Sequence, residues 1–234
     1  MGALFDGVDD LFNCGSAAGL DALTNLTYSA WIYANSTGES GVGAILFKSN
    51  TFSNHTGFRM DNTATLNFSV DYSTTDLARS ASDNSCSLNA WHHVLCTWTG
   101  SATATNIKIY VDGVETTYKT TTNGVGTRNS DAAYNQCIGN RLAASLTFDG
   151  VITEAAIWNV VLTAAQIELL AKSRVKMMPL QIQPSALKAY WPLDESSDAG
   201  AVANAVDRSG NGNTGTATSF PATAGRAELN LSYP

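Results

Sequence analysis

"TLNFSVDY", Thr65 to Tyr72, decides the fold. Leu66, Phe68, Val70 and Tyr72 fall on one side of an extended chain, and Thr65, Asn67, Ser69 and Asp71 on the other. Such alternation marks a half-buried strand, because successive side chains of a strand point to opposite faces. The same period runs outward along the chain. "NIKIYVDG" (Asn106 to Gly113) puts Ile107, Ile109 and Val111 on one face. "LTYSAWIY" (Leu26 to Tyr33) sets Leu26, Tyr28, Ala30 and Ile32 against Thr27, Ser29, Trp31 and Tyr33. "WHHVLCTW" (Trp91 to Trp98) is apolar on both sides, as a strand between two layers is.

Turns punctuate these strands. Asp112-Gly113 is a strong hairpin signal, because its two left-handed positions suit Asp and Gly. Asn123-Gly124 marks another turn. Many short strands with Gly, Asn and Ser turns predict an all-β sandwich. One segment reads as a helix: "LTAAQIELLAKSR" (Leu162 to Arg174) has Thr163 as N-cap and Gln166 three residues on, a capping box. Ile167, Leu170 and Ala171 form its apolar stripe, suited to covering a sheet. "MMPLQIQP" (Met177 to Pro184) carries two prolines and reads as an extended connector. The expected organisation is a main body over 1–175, a connector over 176–186 and a C-terminal segment over 187–234.

Charged residues are only 14% of the 234 and the net charge is -7, so Ser, Thr, Asn and Gly make up the polar surface. That is a common look for extracellular β-proteins. Nucleic-acid binding needs a basic face, and nothing is denser than "KSRVK" (Lys172 to Lys176). No apolar run approaches the length of a membrane span, so no membrane insertion is expected. The opening "MGALFDGVDD" has neither a basic start nor an apolar stretch, so no signal peptide is visible. Cys14, Cys86, Cys96 and Cys137 include no C-x-x-C and read as buried free thiols.

Several stretches in order, "FDGVDD" (Phe5 to Asp10), "YSAWIY", "WHHVLCTW", "KIYVDGV" (Lys108 to Val114), "FDGVITEAAIWN" (Phe148 to Asn159) and "LTAAQIELL", resemble the laminin-G-like, concanavalin A-like lectin/glucanase superfamily. The match covers most of residues 1–171. The resemblance implies an antiparallel two-sheet jelly-roll sandwich with one short helix. "LKAYWPLDESS" (Leu187 to Ser197) and "VDRSGNGNTGTA" (Val206 to Ala217) resemble the segment that normally opens such a domain, yet here they come last. Either the chain is circularly permuted and these strands complete its own sandwich, or they are donated to a neighbouring chain, giving a homo-oligomer. The end, "ELNLSYP" (228–234), could be a tail that docks elsewhere.

Gly210, Gly212 and Gly215 spell a dinucleotide-binding fingerprint, but no strong strand precedes them and no helix follows, so a phosphate has no helix end to rest on. The alternating oxygens of Asp207, Ser209 and Asn211, followed by Gly212, resemble the first half of a calcium loop. Thr218 stands where a chelating Glu belongs, and no helices flank the loop. Two readings stay open: successive tight turns capped by Asp207, or such turns holding Ca²⁺. The resemblance adds weight to calcium, since relatives often carry a structural ion. Further ligands would come from Asp9, with Asp6, Asp10 and Glu154 as alternatives. Thr153 replaces the acid that relatives carry before Glu154, which argues against a family-type site there.

No Glu-x-Asp pairing provides the two carboxylates of a retaining glucanase. His92 and His93 are neighbours on a strand and face opposite ways, and no G-x-S-x-G elbow exists. The chain is therefore expected to be no enzyme. Its expected role is a lectin-like binding or adhesion module for glycans or a surface protein, placed outside the cell or on a virion; the whole chain is similar to lectin-like proteins of bacteriophage. The alternatives are a structural capsid or tail protein assembled by strand exchange and, least expected, a glycoside hydrolase. A sugar site needs an aromatic plate and planar polar groups; the candidates are Tyr110, Tyr118 and Tyr134 with Asn135 and Arg141. Trp31, Trp91, Trp98, Trp158 and Trp191 are expected in the core.

Overall fold

A computed structural model describes residues 2–172, 178–195 and 204–220. The "ELNLSYP" tail and most of "KSRVK" lie outside the described residues. The chain forms β1 (Ala3–Asp6), β2 (Leu11–Asn13), β3 (Leu26–Ala34), β4 (Gly43–Lys48) and β5 (Thr56–Asp61). There follow β6 (Thr65–Val70), β7 (Leu77–Ala81), β8 (Trp91–Trp98), β9 (Ile107–Val111) and β10 (Val114–Glu115). Next come β11 (Tyr118–Thr122), β12 (Gln136–Ile138), β13 (Asp149–Trp158), the helix α1 (Ala164–Lys172), β14 (Leu187–Trp191) and β15 (Thr216–Thr218).

These strands make two antiparallel sheets, the sandwich that the alternation predicts and the jelly roll that the resemblance implies. One runs β1-β13-β3-β8-β9-β10, with β14 also on β13; the other runs β11-β7-β6-β5-β4-β12-β2-β15. Leu66, Phe68 and Val70 of β6 point inward and meet Tyr28, Ala30 and Ile32 of β3, Cys96 of β8 and Ile109 of β9 in one buried core. The outer face of the first sheet is covered: Ile167 and Leu170 of α1 pack on Leu95, Trp158, Leu187 and Tyr190. The helix starts as its sequence dictates. Thr163 N–H donates to Gln166 Oε1 at 2.9 Å and Gln166 N–H returns to Thr163 Oγ1 at 3.4 Å. Asp112 (φ 50°) and Gly113 (φ 82°) make the left-handed pair that joins β9 to β10. No helix among the described residues is long and apolar enough to cross a membrane.

β13 organises the first sheet. One edge pairs with β3 along nearly its whole length. The other edge is shared by two strands from distant parts of the chain. Ala3–Asp6 pairs with residues 149–152, and Leu187–Trp191 pairs with residues 155–158. Both run antiparallel to β13, so β14 leads along the edge towards β1. A bulge marks the seam: Glu154 has φ 52°, and the Pro192 carbonyl accepts from Glu154 N–H at 3.3 Å and Thr153 Oγ1 at 2.7 Å. β15 likewise closes the end of the second sheet on β2.

Two expectations need correction. Trp98 and Trp191 lie in the core and Trp158 under the helix, but Trp31 and Trp91 are only half-buried. Alternation sends Trp31 outward with Thr27 and Ser29, and Trp91 pairs with the outward Tyr33. Nor is the described part of the 176–186 connector extended. Met178–Gln181 forms a short 3₁₀ helix, in which the fixed φ of Pro179 suits the first turn. Ile182, just beyond it, offers its carbonyl to Trp158 Nε1 at 2.7 Å.

The late strand carries a measurable share of the stability. Trp191 is fully buried and its Nε1–H donates to Asn213 O at 2.7 Å. Trp191→Ala is expected to cost about 3–5 kcal/mol, read as a lower denaturant midpoint at unchanged slope.

Candidate functional site

No helix among the described residues covers the outer face of the second sheet, and a polar and aromatic cluster is built there. Phe47 of β4 points outward and packs with Ala44 and Leu146. Gly57 of β5 lies under its ring, where a Cβ would stand 2.2 Å from a ring carbon. Phe47 stacks on His55 at 5.6 Å and 7°. The His55 ring uses both nitrogens: Nδ1 lies 2.8 Å from Phe52 O and Nε2 lies 2.8 Å from Ser69 Oγ. A carbonyl only accepts, so Nδ1 carries the hydrogen and Nε2 accepts from the serine. Burial pushes the His55 pKa down to about 4, so the ring is neutral at pH 7.

That bond fixes the loop between β4 and β5 and sets Phe52 edge-on to Phe47 and His55, at 6.0 Å from each. The Phe52 ring remains 44% exposed. Two guanidiniums lie over it, Arg59 at 5.4 Å and Arg141 at 4.8 Å from the ring centre. Arg59 is held by Asp61 at 2.7 Å and donates to Ser69 Oγ at 2.8 Å. Arg141 Nε–H donates to Ser145 Oγ at 2.8 Å. Opposite Arg59 in register stands Asn67. Its Nδ2 donates to Ser80 Oγ at 2.6 Å, while its buried Oδ1 has no hydrogen-bond partner. An exposed ring and planar donors on one face can receive the C–H face and the hydroxyls of a sugar.

Of the five sugar-site candidates read from the sequence, Arg141 alone touches this ring. The Tyr134–Asn135 loop borders it. Lys48 Nζ donates to Tyr134 O at 2.6 Å, Asn54 Nδ2 to Ser130 O at 3.2 Å, and Asn135 Nδ2 to Asn13 Oδ1 at 3.0 Å. Tyr118 lies under the Arg79 guanidinium at 3.4 Å, with its hydroxyl donating to Glu115. Tyr110 is half-buried against the cluster beneath the helix. Phe52, Arg59 and Asn67 escaped the sequence reading. The signal for Arg59 and Asn67 was present, since alternation turns both away from Phe58 and Phe68; Phe52 is a lone aromatic in a polar loop.

Asp207 spends its carboxylate on backbone. Oδ1 accepts from Tyr190 N–H at 3.0 Å and Ser209 N–H at 2.9 Å, and Oδ2 from Asn213 N–H at 2.8 Å. Ser209 and Asn211 donate to carbonyls of Leu187 and Lys188. The loop thus staples itself to β14. Asp9 belongs to a different group, with Asp6 and Asp10. Glu154 accepts from the Tyr190 hydroxyl.

His55 also neighbours Asp71 and Asp76. Those carboxyls take backbone N–H groups, Asp71 from Asn54 and Asp76 from Tyr72. A separate groove of about 460 Å³ lies between Ser82–Ser87 and the β9–β10 hairpin. Its acids are paired: Asp83 with Lys119, Asp112 with His92, Glu115 with Lys108.

The sequence pattern of the concanavalin A-like lectin/glucanases superfamily matches residues 6–168. No curated protein matches the chain in sequence. Among solved structures, tailspike protein 2 from Escherichia coli O157:H7 bacteriophage CAB120 aligns with TM-score 0.56 and 12% identity, over 83% of this chain and 27% of that one. A putative carbohydrate binding protein from Bacteroides ovatus aligns at 0.55 and 16%, over 90% and 59%. The CBM40 of Ruminococcus gnavus IT-sialidase, bound to α2,3 sialyllactose, aligns at 0.51 and 11%, over 73% and 97%. At these identities the likeness shows the fold.

His55 makes the cluster acid-sensitive. Its folded pKa of about 4 lies below the ordinary 6.5. The unfolded chain therefore takes the proton first; the stability from the neutral ring is full above pH 6.5 and is lost as pH falls towards 4. The loss is at most about 3 kcal/mol. Denaturant unfolding at pH 7 and 4.5 is expected to show it, and His55→Asn to shrink the difference.

Proposed function

We propose that this chain, which belongs to the concanavalin A-like lectin/glucanase superfamily, is a non-catalytic glycan-binding module acting outside the cell or on a virion surface. Phe52, Arg59 and Arg141 form its sugar-contacting face. The observation that carries this reading is the exposed Phe52 ring with two guanidiniums over it. Pyranose C–H faces stack on aromatic rings, and guanidiniums offer fixed planar donors to hydroxyls. His55 positions the ring and does not contact the ligand. Tyr134 and Asn135, at the border of the same face, extend it. The likeness in fold to the putative carbohydrate binding protein of Bacteroides ovatus, to the sialyllactose-bound CBM40 of Ruminococcus gnavus and to the phage tailspike supports the reading. The line from β14 into β1 supports a circularly permuted jelly roll that completes itself within one chain.

Glycan-array screening of the purified chain, followed by calorimetry on the best ligand, tests the proposal. Phe52→Ala and Arg141→Ala are each expected to weaken binding at least about tenfold, a loss near 1.4 kcal/mol, with the melting temperature little changed. Undiminished binding by both variants, or no glycan bound by the native chain, would overturn it.

A further inference from the structure

Ser87, His92 and Asp112 meet in the groove between the Ser82–Ser87 loop and the β9–β10 hairpin. The His92 ring lies between the other two. Its Nδ1 is 2.7 Å from Asp112 Oδ2, and its Nε2 is 2.8 Å from Ser87 Oγ. A carboxylate only accepts, so Nδ1 carries the hydrogen. In the neutral ring Nε2 is then the acceptor, and the serine hydroxyl donates to it. Hydroxyl, imidazole base and orienting carboxylate, in that order, are the groups that activate a serine. The loop before β8, the start of β8 and the left-handed hairpin turn each supply one of them.

The carboxylate is fixed independently of the ring. Asp112 Oδ1 accepts from His93 N–H at 2.9 Å, and Asp112 N–H donates to His93 O at 2.8 Å. The His92 side chain is only 16% exposed, whereas Ser87 faces solvent. The base is thus sheltered and the hydroxyl is within reach of a reactant. Ser85 lines the same groove, and its buried hydroxyl has no hydrogen-bond partner. It is free to donate to the negative charge that develops on a carbonyl oxygen under attack. On the hairpin wall of the groove Val114 is 70% exposed, an apolar rest for a short acyl chain.

We propose that Ser87 is a nucleophilic acceptor that takes up a short acyl group from an ester, with His92 as its base and Asp112 holding the ring. Ser87 Oγ bonds to the acyl carbon while its proton passes to His92 Nε2. The C–O bond of the donor ester then breaks, and Nε2 returns the proton to the departing alcohol. The products are an ester at Ser87 and the free alcohol. Ser85 supplies one donor where efficient acyl-transfer sites pair two, so uptake is slow and the new ester is released more slowly still. The event is a stoichiometric modification. It shares no residue with the Phe52 face, which binds without reacting.

The test treats the full chain with an alkyl fluorophosphonate and, separately, with p-nitrophenyl acetate, and reads the adducts by intact mass and peptide mapping. Each reagent is expected to leave one group per chain, on Ser87, with one equivalent of nitrophenol released by the acetate. Ser87→Ala changes only an exposed residue and is expected to form no adduct. His92→Ala is expected to react at least about a hundredfold more slowly. Added imidazole then restores part of its rate, which a merely structural ring would not permit. Asp112→Asn keeps a residue suited to the left-handed turn and removes the charge. It is expected to slow uptake by a similar factor and to lose the low-field proton signal of the His92–Asp112 bond. A native chain left unmodified, an adduct undiminished in Ser87→Ala, or continuous hydrolysis of the acetate with no lasting acetyl group would refute the assignment.

Discussion

The architecture depends on keeping the far edge of β13 paired. A ten-residue strand in the middle of a sandwich presents a row of backbone N–H and C=O groups, and an open row is both costly and prone to pairing with another chain. Here two strands divide that row, one from the start of the chain and one from near residue 190. Neither is long enough alone. The bulge at Glu154 lets the partner change from one to the other, and the Pro192 carbonyl collects the donors left at the join. Trp191 then reaches the core from a strand the main body lacks.

Pairing settles which faces are sealed. On the first sheet, α1 and the 3₁₀ turn after it bury the outer apolar residues. On the second sheet, the outward residues of β5 and β6 are Arg59, Asn67 and Ser69, and loops cross the face in place of a helix. His55 links the two kinds of structure. Its ring joins a strand serine to a loop carbonyl, so a rigid ladder dictates where a loop aromatic stands. The face around Phe52 is thus less a loop feature than an extension of the sheet.

Much of this was legible in the sequence. The alternation in "TLNFSVDY", the Asp112-Gly113 turn and the Thr163/Gln166 cap each follow from local rules, and local rules decide strands, hairpins and helix starts. The site was less legible for two physical reasons. First, alternation assigns a side but not what covers that side, so Trp31 and Trp91 were placed in the core although their parity sends them outward. Secondly, ligand-like patterns compete with backbone capping. Asp207, Ser209 and Asn211 have the right oxygens at the right spacing, yet the N–H groups of Tyr190, Ser209 and Asn213 take those of Asp207. Arg141 stands out in the sequence only as a planar polar side chain near Tyr134. The Phe52 ring beneath it was missed because contact between residues about ninety apart is tertiary information.

All four cysteines are free and buried. Burial raises the Cys86 and Cys137 pKa values to about 12, so the reactive thiolate is on the order of one part in a hundred thousand at pH 7. Neither oxidant nor reductant finds a handle on such groups, and no covalent cross-link has to form for the sandwich to close. The two sheets are therefore held by packing and hydrogen bonding alone, with the thiols sealed away from solvent.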